Sequence, residues 1–272
     1  MRPPQDLFIY YLQGRVPPDC FLQDPAFIGN WEEDGHAFLF FSSPALPSVQ
    51  DLLIRYPQLT FKDSFQTSYE DWLGGPIGSF REGGLLIVPA WEKAPAPGPD
   101  DLLIRLDPGV VFGAGNHQTT RDCLRALSRV LNLDRGLGSA LDLGAGSGLL
   151  SLAAAGLGIK RVLALDLNPL AASTCRRNIG LNQLQDKVMA VQGRAEDFLD
   201  TEADLLMANI HFEVLQTLVW SRGFLAKKWF ILSGLLRSQA AETGRILKEL
   251  GAELIEVWDQ DGIWFTLLGR NF

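Results

Sequence analysis

From residue 140 onward, short aliphatic runs alternate with segments long enough for helices, and this alternation constrains the fold more than any other feature of the chain. Ala140 to Leu143, Arg161 to Leu165, Val188 to Val191, Asp204 to Ala208 and Trp229 to Leu232 read as strands. Between them, Leu149 to Leu157, Leu170 to Leu181 and Arg237 to Leu250 have the length of helices. Strands joined by helical crossovers pair in parallel, because the crossover returns the chain to start the next strand in the same direction. The runs Ala252 to Trp258 and Ile263 to Leu268 are joined through Asp261 and Gly262 without room for a crossover, so they form an antiparallel hairpin. The expected fold class is α/β: a doubly wound seven-stranded sheet, parallel with one antiparallel strand in the terminal hairpin.

Upstream, Gly74, Gly75, Pro76, Gly78, Gly83 and Gly84, then the run Ala94 to Pro99, interrupt any period and mark a linker region over 71–100. Before it, Leu7 to Leu12 and Ala37 to Phe41 read as strands and Val49 to Tyr56 as a short helix, predicting a small α+β domain over 1–70. The larger domain spans 101–272. With 272 residues and 47% hydrophobic content the chain can fill cores of this size. A net charge of -8 repels phosphates overall, so no direct nucleic-acid binding is expected, and a basic protein or a small molecule is the easier partner.

Cys20, Cys123 and Cys175 are odd in number and lack CxxC spacing, which argues against a disulfide framework and against a cysteine zinc site, and fits a reducing, cytoplasmic compartment. Met1 to Gly14 shows no cleavage pattern, and the nearly apolar stretch Leu149 to Ile159 falls short of the roughly 18 residues of a bilayer span. Neither secretion nor membrane insertion is expected.

The strongest constellation is Leu141-Asp142-Leu143-Gly144-Ala145-Gly146-Ser147-Gly148, which follows a strand and opens a helix, so that its glycines let a ligand approach the backbone. Pyrophosphate binding is disfavoured, because the glycines alternate and Leu149 follows Gly148 where the dinucleotide fingerprint needs a different spacing. About 20 residues on, Asp166 ends the next strand, where a carboxylate accepts hydrogen bonds from both hydroxyls of an adenosyl ribose. Taken alone, Asp166 reads equally as a helix cap before Pro169. Asp142, just before the loop, is placed to orient loop amides or to attract a cationic part of the ligand.

Asn209 follows the strand Asp204 to Ala208 at the carboxyl edge of the sheet, where its carbonyl can accept a hydrogen bond from an incoming amine and aim the nitrogen lone pair. The alternative is a cap for a helix near Phe212. Asp107 to Thr120 is too glycine-rich for a helix and reads as a shaped loop before one. Within it, Thr119 with Asp122 fits a capping box, Thr120 is not explained that way, and His117 has no second ligand nearby for a metal, leaving it a packing or lid role. Phe112 to Thr120 is expected to cover the bound cofactor.

With these residues assembled, the chain resembles the PrmA family, the bacterial methyltransferases of ribosomal protein L11. The resemblance rests on Asp107 to Thr120, which looks like that family's D-P-G-x-x-F-G-x-G-x-H-x-T-T signature, and on the order of Gly144, Asp166, Asn209 and Leu232-Ser233-Gly234-Leu235-Leu236, with Trp91 after Ile87-Val88-Pro89. It covers roughly Asp71 to Arg270. It implies S-adenosylmethionine as cofactor, contacted by Thr120, Gly144, Asp166 and Asn209, a basic ribosomal protein as substrate docked by residues 1–70, and a monomeric enzyme. Asn116 and Gln118 stand where the family has threonine and proline, and Ile210-His211-Phe212 replaces a more aliphatic run. A methyltransferase of the same fold acting on another protein or a small molecule, and a non-catalytic cofactor-binding module, are the competing expectations.

The residues and the resemblance together set Asn209 as the catalytic group and Thr120, Gly144, Gly146, Asp166, Asn209, Asp142, Phe112 and His117 around the cofactor, with Thr120 resting on the resemblance, and no metal is expected. Displacement of a methyl group from a sulfonium needs the nucleophile held in line in a desolvated pocket and little acid-base machinery.

Overall fold

The computed structural model describes residues 2–17, 23–99 and 101–272. Cys20 lies outside the described residues, while Cys123 and Cys175 are buried free thiols.

The chain begins with β1 (Asp6–Gln13), β2 (Phe27–Glu33), β3 (His36–Phe41), α1 (Leu46–Arg55), β4 (Thr60–Ser68) and the short α2 (Tyr69–Trp72). The four strands form an antiparallel sheet in the order β2-β3-β1-β4. Alternation in β1 and β3 sends Tyr10, Leu12, Ala37, Leu39 and Phe41 to the face covered by Val49 and Leu52 of α1. Leu7, Ile9 and Phe40 face the opposite way, onto Val110, Val111, Leu170 and Ala171 of the larger domain. The expected helix therefore runs Leu46–Arg55, with proline in its first turn, and β2 and β4 join the two expected strands.

The stretch 71–100, expected as a linker, carries β5 (Phe80–Glu82) and β6 (Leu85–Pro89), and with β7 (Leu102–Leu106) these make a three-stranded sheet, order β5-β6-β7. Every residue of β6 is buried, so the glycines around it are turns and not a flexible connection.

After β7 come α3 (Gln118–Leu133), β8 (Ser139–Leu143), α4 (Leu149–Gly156), β9 (Arg161–Asp166), α5 (Pro169–Leu181), β10 (Val188–Gln192) and a 3-10 turn at Ala195–Phe198. The chain continues through β11 (Leu205–Asn209), α6 (Phe212–Leu218), α7 (Arg222–Leu225), β12 (Trp229–Leu236), α8 (Arg237–Glu249), β13 (Glu253–Gln260) and β14 (Trp264–Arg270). The seven-stranded sheet has the order β10-β9-β8-β11-β12-β14-β13. Strands β8 to β12 run parallel; β14 pairs antiparallel with both β12 and β13, and is the one reversed strand. The expected α/β, doubly wound seven-stranded sheet with a small amino-terminal α+β unit is the observed architecture.

Helices α3, α4 and α5 pack on one face, where Leu124, Leu127, Leu152, Ala153 and Ile179 meet Ala140, Val162, Met207 and Ile231. On the other, Leu215, Phe224, Ile246 and Leu247 from α6, α7 and α8 meet Leu141, Leu143, Leu206 and Phe230. The order reverses at β8: β9 and β10 lie to one side and β11 and β12 to the other. The connections leaving β8 and β11 therefore go to opposite faces, and a crevice opens between their carboxyl ends. Among the described residues no helix is long and apolar enough to cross a membrane.

Candidate functional site

Two glycine-rich loops meet at this crevice. One is the turn Gly144 to Gly148 between β8 and α4; the other runs from Asp107 to His117 between β7 and α3. They are bonded to each other: the Ser147 backbone N–H donates to Phe112 O at 2.9 Å and the Ser147 hydroxyl to Gly113 O at 2.7 Å. Asn178 of α5, fully buried, fastens both from below, accepting the Asp107 N–H at 2.9 Å and donating to Asp107 O and Ser147 O, each at 2.8 Å. Gly144 and Gly146 both have positive φ, +71° and +55°. A Cβ at 144 would overlap Ile210 Cγ2, and one at 146 would lie 2.5 Å from Phe112 O, so only glycine lets the turn sit this close to its neighbours.

Asp166 ends β9 directly beside the turn. Its Oδ2 accepts the Gly146 N–H and its Oδ1 the Asn168 N–H, both at 2.9 Å. Burial raises the pKa of this carboxyl, opposed by the two backbone bonds. The helix that follows is capped by Asn168, whose side chain accepts from Leu170 N, so the capping reading of Asp166 falls. Each Asp166 oxygen retains a lone pair for a further donor. Next to it, Leu167 exposes 67% of its surface, an apolar side chain beside a carboxylate at the mouth of the crevice that the sequence analysis did not single out.

Asp142 behaves differently. It is 1% exposed, beneath α4, and accepts the Ser151 hydroxyl at 2.6 Å. Burial pushes its carboxyl up to about 6 despite that bond. Its position supports the start of α4 from underneath and does not open onto the crevice.

Asn209 ends β11, with Ile210 against Gly144. The next helix starts after His211, which makes no side-chain cap, so Asn209 is not a helix cap. Its Nδ2 donates to Thr119 Oγ1 at 3.2 Å. Helix α3 begins at Gln118 and is capped by His117, whose Nδ1 accepts the Thr119 N–H at 3.3 Å. The expected Thr119–Asp122 capping box is therefore absent: Asp122 instead bonds Gln118 Nε2 at 2.8 Å and Arg125 Nη1 at 2.9 Å. Thr120 is buried, and its Oγ1 is without a partner among the described residues. Phe112 exposes 51% of its surface at the crevice, and the His117 ring lies 5.6 Å from the Phe112 ring and 5.4 Å from that of Trp264 at the start of β14.

The unusual residues of the loop have local partners. Asn116 Nδ2 donates to Leu73 O just after α2, while Tyr69 Oη and Trp72 Nε1 of α2 donate to Gly109 O at 2.6 Å and Val110 O at 2.9 Å. The loop is thus held by the small amino-terminal unit on one side and by the glycine turn on the other. No group of three or more His, Cys, Asp or Glu converges among the described residues. A cavity of about 510 Å³ lies at the opposite, amino edge of the sheet, between Ser139, Arg161, Asp200, Asp204, Arg222 and Lys227. Asp204 accepts from Gly138 N and Ser139 N, and the buried Lys227 Nζ donates to Leu199 O and Thr201 O, so these groups are committed internally and the cavity is a structural junction.

The family model for ribosomal protein L11 methyltransferase (PrmA) matches residues 77–271. This chain belongs to that family. A ribosomal protein L11 methyltransferase of Clostridium botulinum (strain Eklund 17B / Type B) is 36% identical over 207 residues, 74% of this chain and 64% of the relative. One from Desulfitobacterium hafniense is 33% identical over 229 residues, covering 82% of this chain and 72% of that protein. The chain thus spans 64% of the length of the Clostridium botulinum relative and somewhat more of the other. Among solved structures, the ribosomal protein L11 methylase from Lactobacillus delbrueckii subsp. bulgaricus is similar at 30% identity and a TM-score of 0.61, covering 72% of this chain and 100% of that one. For a PrmA-family chain, the crevice between β8 and β11 is the place to look for chemistry.

Proposed function

We propose that this PrmA-family chain transfers methyl groups from S-adenosylmethionine to amines of a basic ribosomal protein, L11 or a relative of it, acting as a monomer in the cytoplasm. The observation that carries the reading is the convergence of the Gly144–Gly148 turn, the Asp166 carboxylate and the Asn209 carboxamide on one crevice. The residues fit an adenosyl cofactor. Asp166 keeps a lone pair on each oxygen for ribose hydroxyls, Thr120 Oγ1 is a buried polar atom lacking a partner among the described residues, and side chains at 144 and 146 would fill the cradle. Gly144, Gly146, Asp166 and Thr120 would hold it, with Phe112 and the loop to His117 closing over it; S-adenosylmethionine supplies an electrophilic methyl group on a sulfonium.

The chain's own task is then to place the nucleophile. Asn209 Oδ1 accepts an N–H of the incoming amine and so directs the nitrogen lone pair, an orienting effect of the kind that carries most of the rate gain in a direct displacement. A lysine amine, with an ordinary pKa of about 10.4, must enter neutral, and the apolar walls given by Phe112, Ile210 and Trp264 favour that form. Asp142 acts indirectly, by bracing α4 under the turn.

The test is transfer of labelled methyl from S-adenosylmethionine to purified L11 by the chain and by its Asn209→Ala variant. Labelled L11 with the chain and a loss of about a hundredfold in the variant are expected. Normal turnover by the variant would remove Asn209 from the mechanism, and cofactor binding without transfer to any protein of a cell extract would leave a binding module.

A further inference from the structure

We propose that His117 and Thr119 are positioning residues that fix which end of the Asn209 carboxamide faces the substrate amine, an inference that rests on the orienting role of Asn209 given above. The Thr119 N–H points at His117 Nδ1 at 3.3 Å, so that nitrogen presents a lone pair and the proton of the neutral ring sits on Nε2. Thr119 Oγ1 is 2.7 Å from the same Nδ1. Because Nδ1 has no proton to give, the hydroxyl is the donor of that bond. With its proton so directed, Oγ1 has only lone pairs left and accepts from Asn209 Nδ2 at 3.2 Å. The chain of donors therefore runs from Asn209 through Thr119 to His117.

An amide looks the same from either end until its hydrogen-bond partners are counted. In the reversed orientation Asn209 Oδ1 would face an oxygen with no proton to offer, two acceptors in contact. The observed orientation turns Nδ2 toward α3 and leaves Oδ1 on the other side, where a Cβ built on Gly234 would lie 3.2 Å from it. Oδ1 takes no hydrogen bond from another described residue, which leaves it for an amine. The imidazole is held by the Phe112 and Trp264 rings, and its partial burial lowers its pKa, favouring the neutral ring that the scheme needs. Removing the acceptor at 117 frees the Thr119 hydroxyl to donate to Oδ1; the amide then reverses and shows N–H donors to an amine that needs an acceptor.

The experiment compares Thr119→Val with Thr119→Ser and His117→Ala with His117→Asn, whose Oδ1 occupies the place of Nδ1. Methyl transfer to L11 is measured as kcat and KM separately, and S-adenosylmethionine affinity by calorimetry. For Thr119→Val, kcat falls about tenfold or more with cofactor affinity retained, and for His117→Ala kcat falls at least as far. Thr119→Ser and His117→Asn recover most of that loss. Independently of any variant, ring nitrogen NMR of the unmodified protein shows His117 protonated on Nε2 and bare on Nδ1. Full kcat in Thr119→Val, loss of cofactor affinity in step with kcat in that variant, or a proton on Nδ1 each overturns the inference. If Asn209→Ala is impaired while Thr119→Val is not, this inference alone fails; if Asn209→Ala turns over normally, the reading of the site fails with it.

Discussion

Asp166 joins two tasks in one carboxylate: it holds the glycine turn through Gly146 N–H and offers its remaining lone pairs to the crevice. Its replacement by alanine removes both, so S-adenosylmethionine affinity in calorimetry is expected to fall at least about tenfold, the scale of lost bonds to a charged group. Asp142 gives a different signature. Its folded-state carboxyl is raised from 3.8 to about 6 by burial, so the stability it contributes is fully present below 3.8 and is lost as the pH rises through 6. Urea midpoints of Asp142→Asn measured against the unmodified protein should therefore gain on it from pH 4 to pH 6.5 and run parallel above pH 7. Much of the candidate site is legible in the residues: Gly144, Gly146, Asp166, Asn209, Phe112 and His117 gather at one sheet edge. The contact of Thr119 with Asn209 and the role of Asn178 are not legible, because a hydroxyl or an amide within a helical run carries no period and gains its meaning only from a partner 90 or 71 residues away.

At the scale of elements, α5 does more than cover the sheet. Asn178 and Asn182, one turn apart on it, bond the backbone of Asp107, just after β7, and of Arg105 within it, so a helix stands in for a neighbouring strand. Asn178→Ala strands the Asp107 N–H and two carbonyls in a buried place, and a loss of roughly 3 kcal/mol in chemical denaturation is expected, with weaker cofactor binding because Asp107 and Ser147 come apart. The parallel strands are plain in the sequence because each is a short, largely aliphatic run followed by a segment of helical length, and the hairpin because its two runs are joined through Asp261 and Gly262 without room for a crossover. β4 is hidden for the opposite reason: all but its last two residues are exposed, so Thr60–Ser68 has no buried face to set a period. β5 and β6 are disguised by the glycine turns that frame them, which imitate a linker until β7 supplies the pairing.

In the whole molecule the small amino-terminal unit sits on the carboxyl side of the larger sheet, close to Asp166. Gly29 of β2 lies on Leu170, where a Cβ would overlap Cδ1, and α2 grips the loop at Gly109 and Val110. Gly29→Val is expected to wedge this contact open: calorimetric unfolding splits into two transitions and transfer to L11 falls, while a single transition with full activity would show the contact to be incidental. One further property follows from the placement of β14 between β12 and β13. A chain leaving the ribosome exposes β13 before the strand that must lie beside it, so this edge of the protein cannot be finished in the order of synthesis. Until β14 arrives, β12 keeps a bare flank on which Phe230 and Ile231 are unshielded; the interval between these two segments is when a half-made copy is most exposed to chaperones and to its own neighbours.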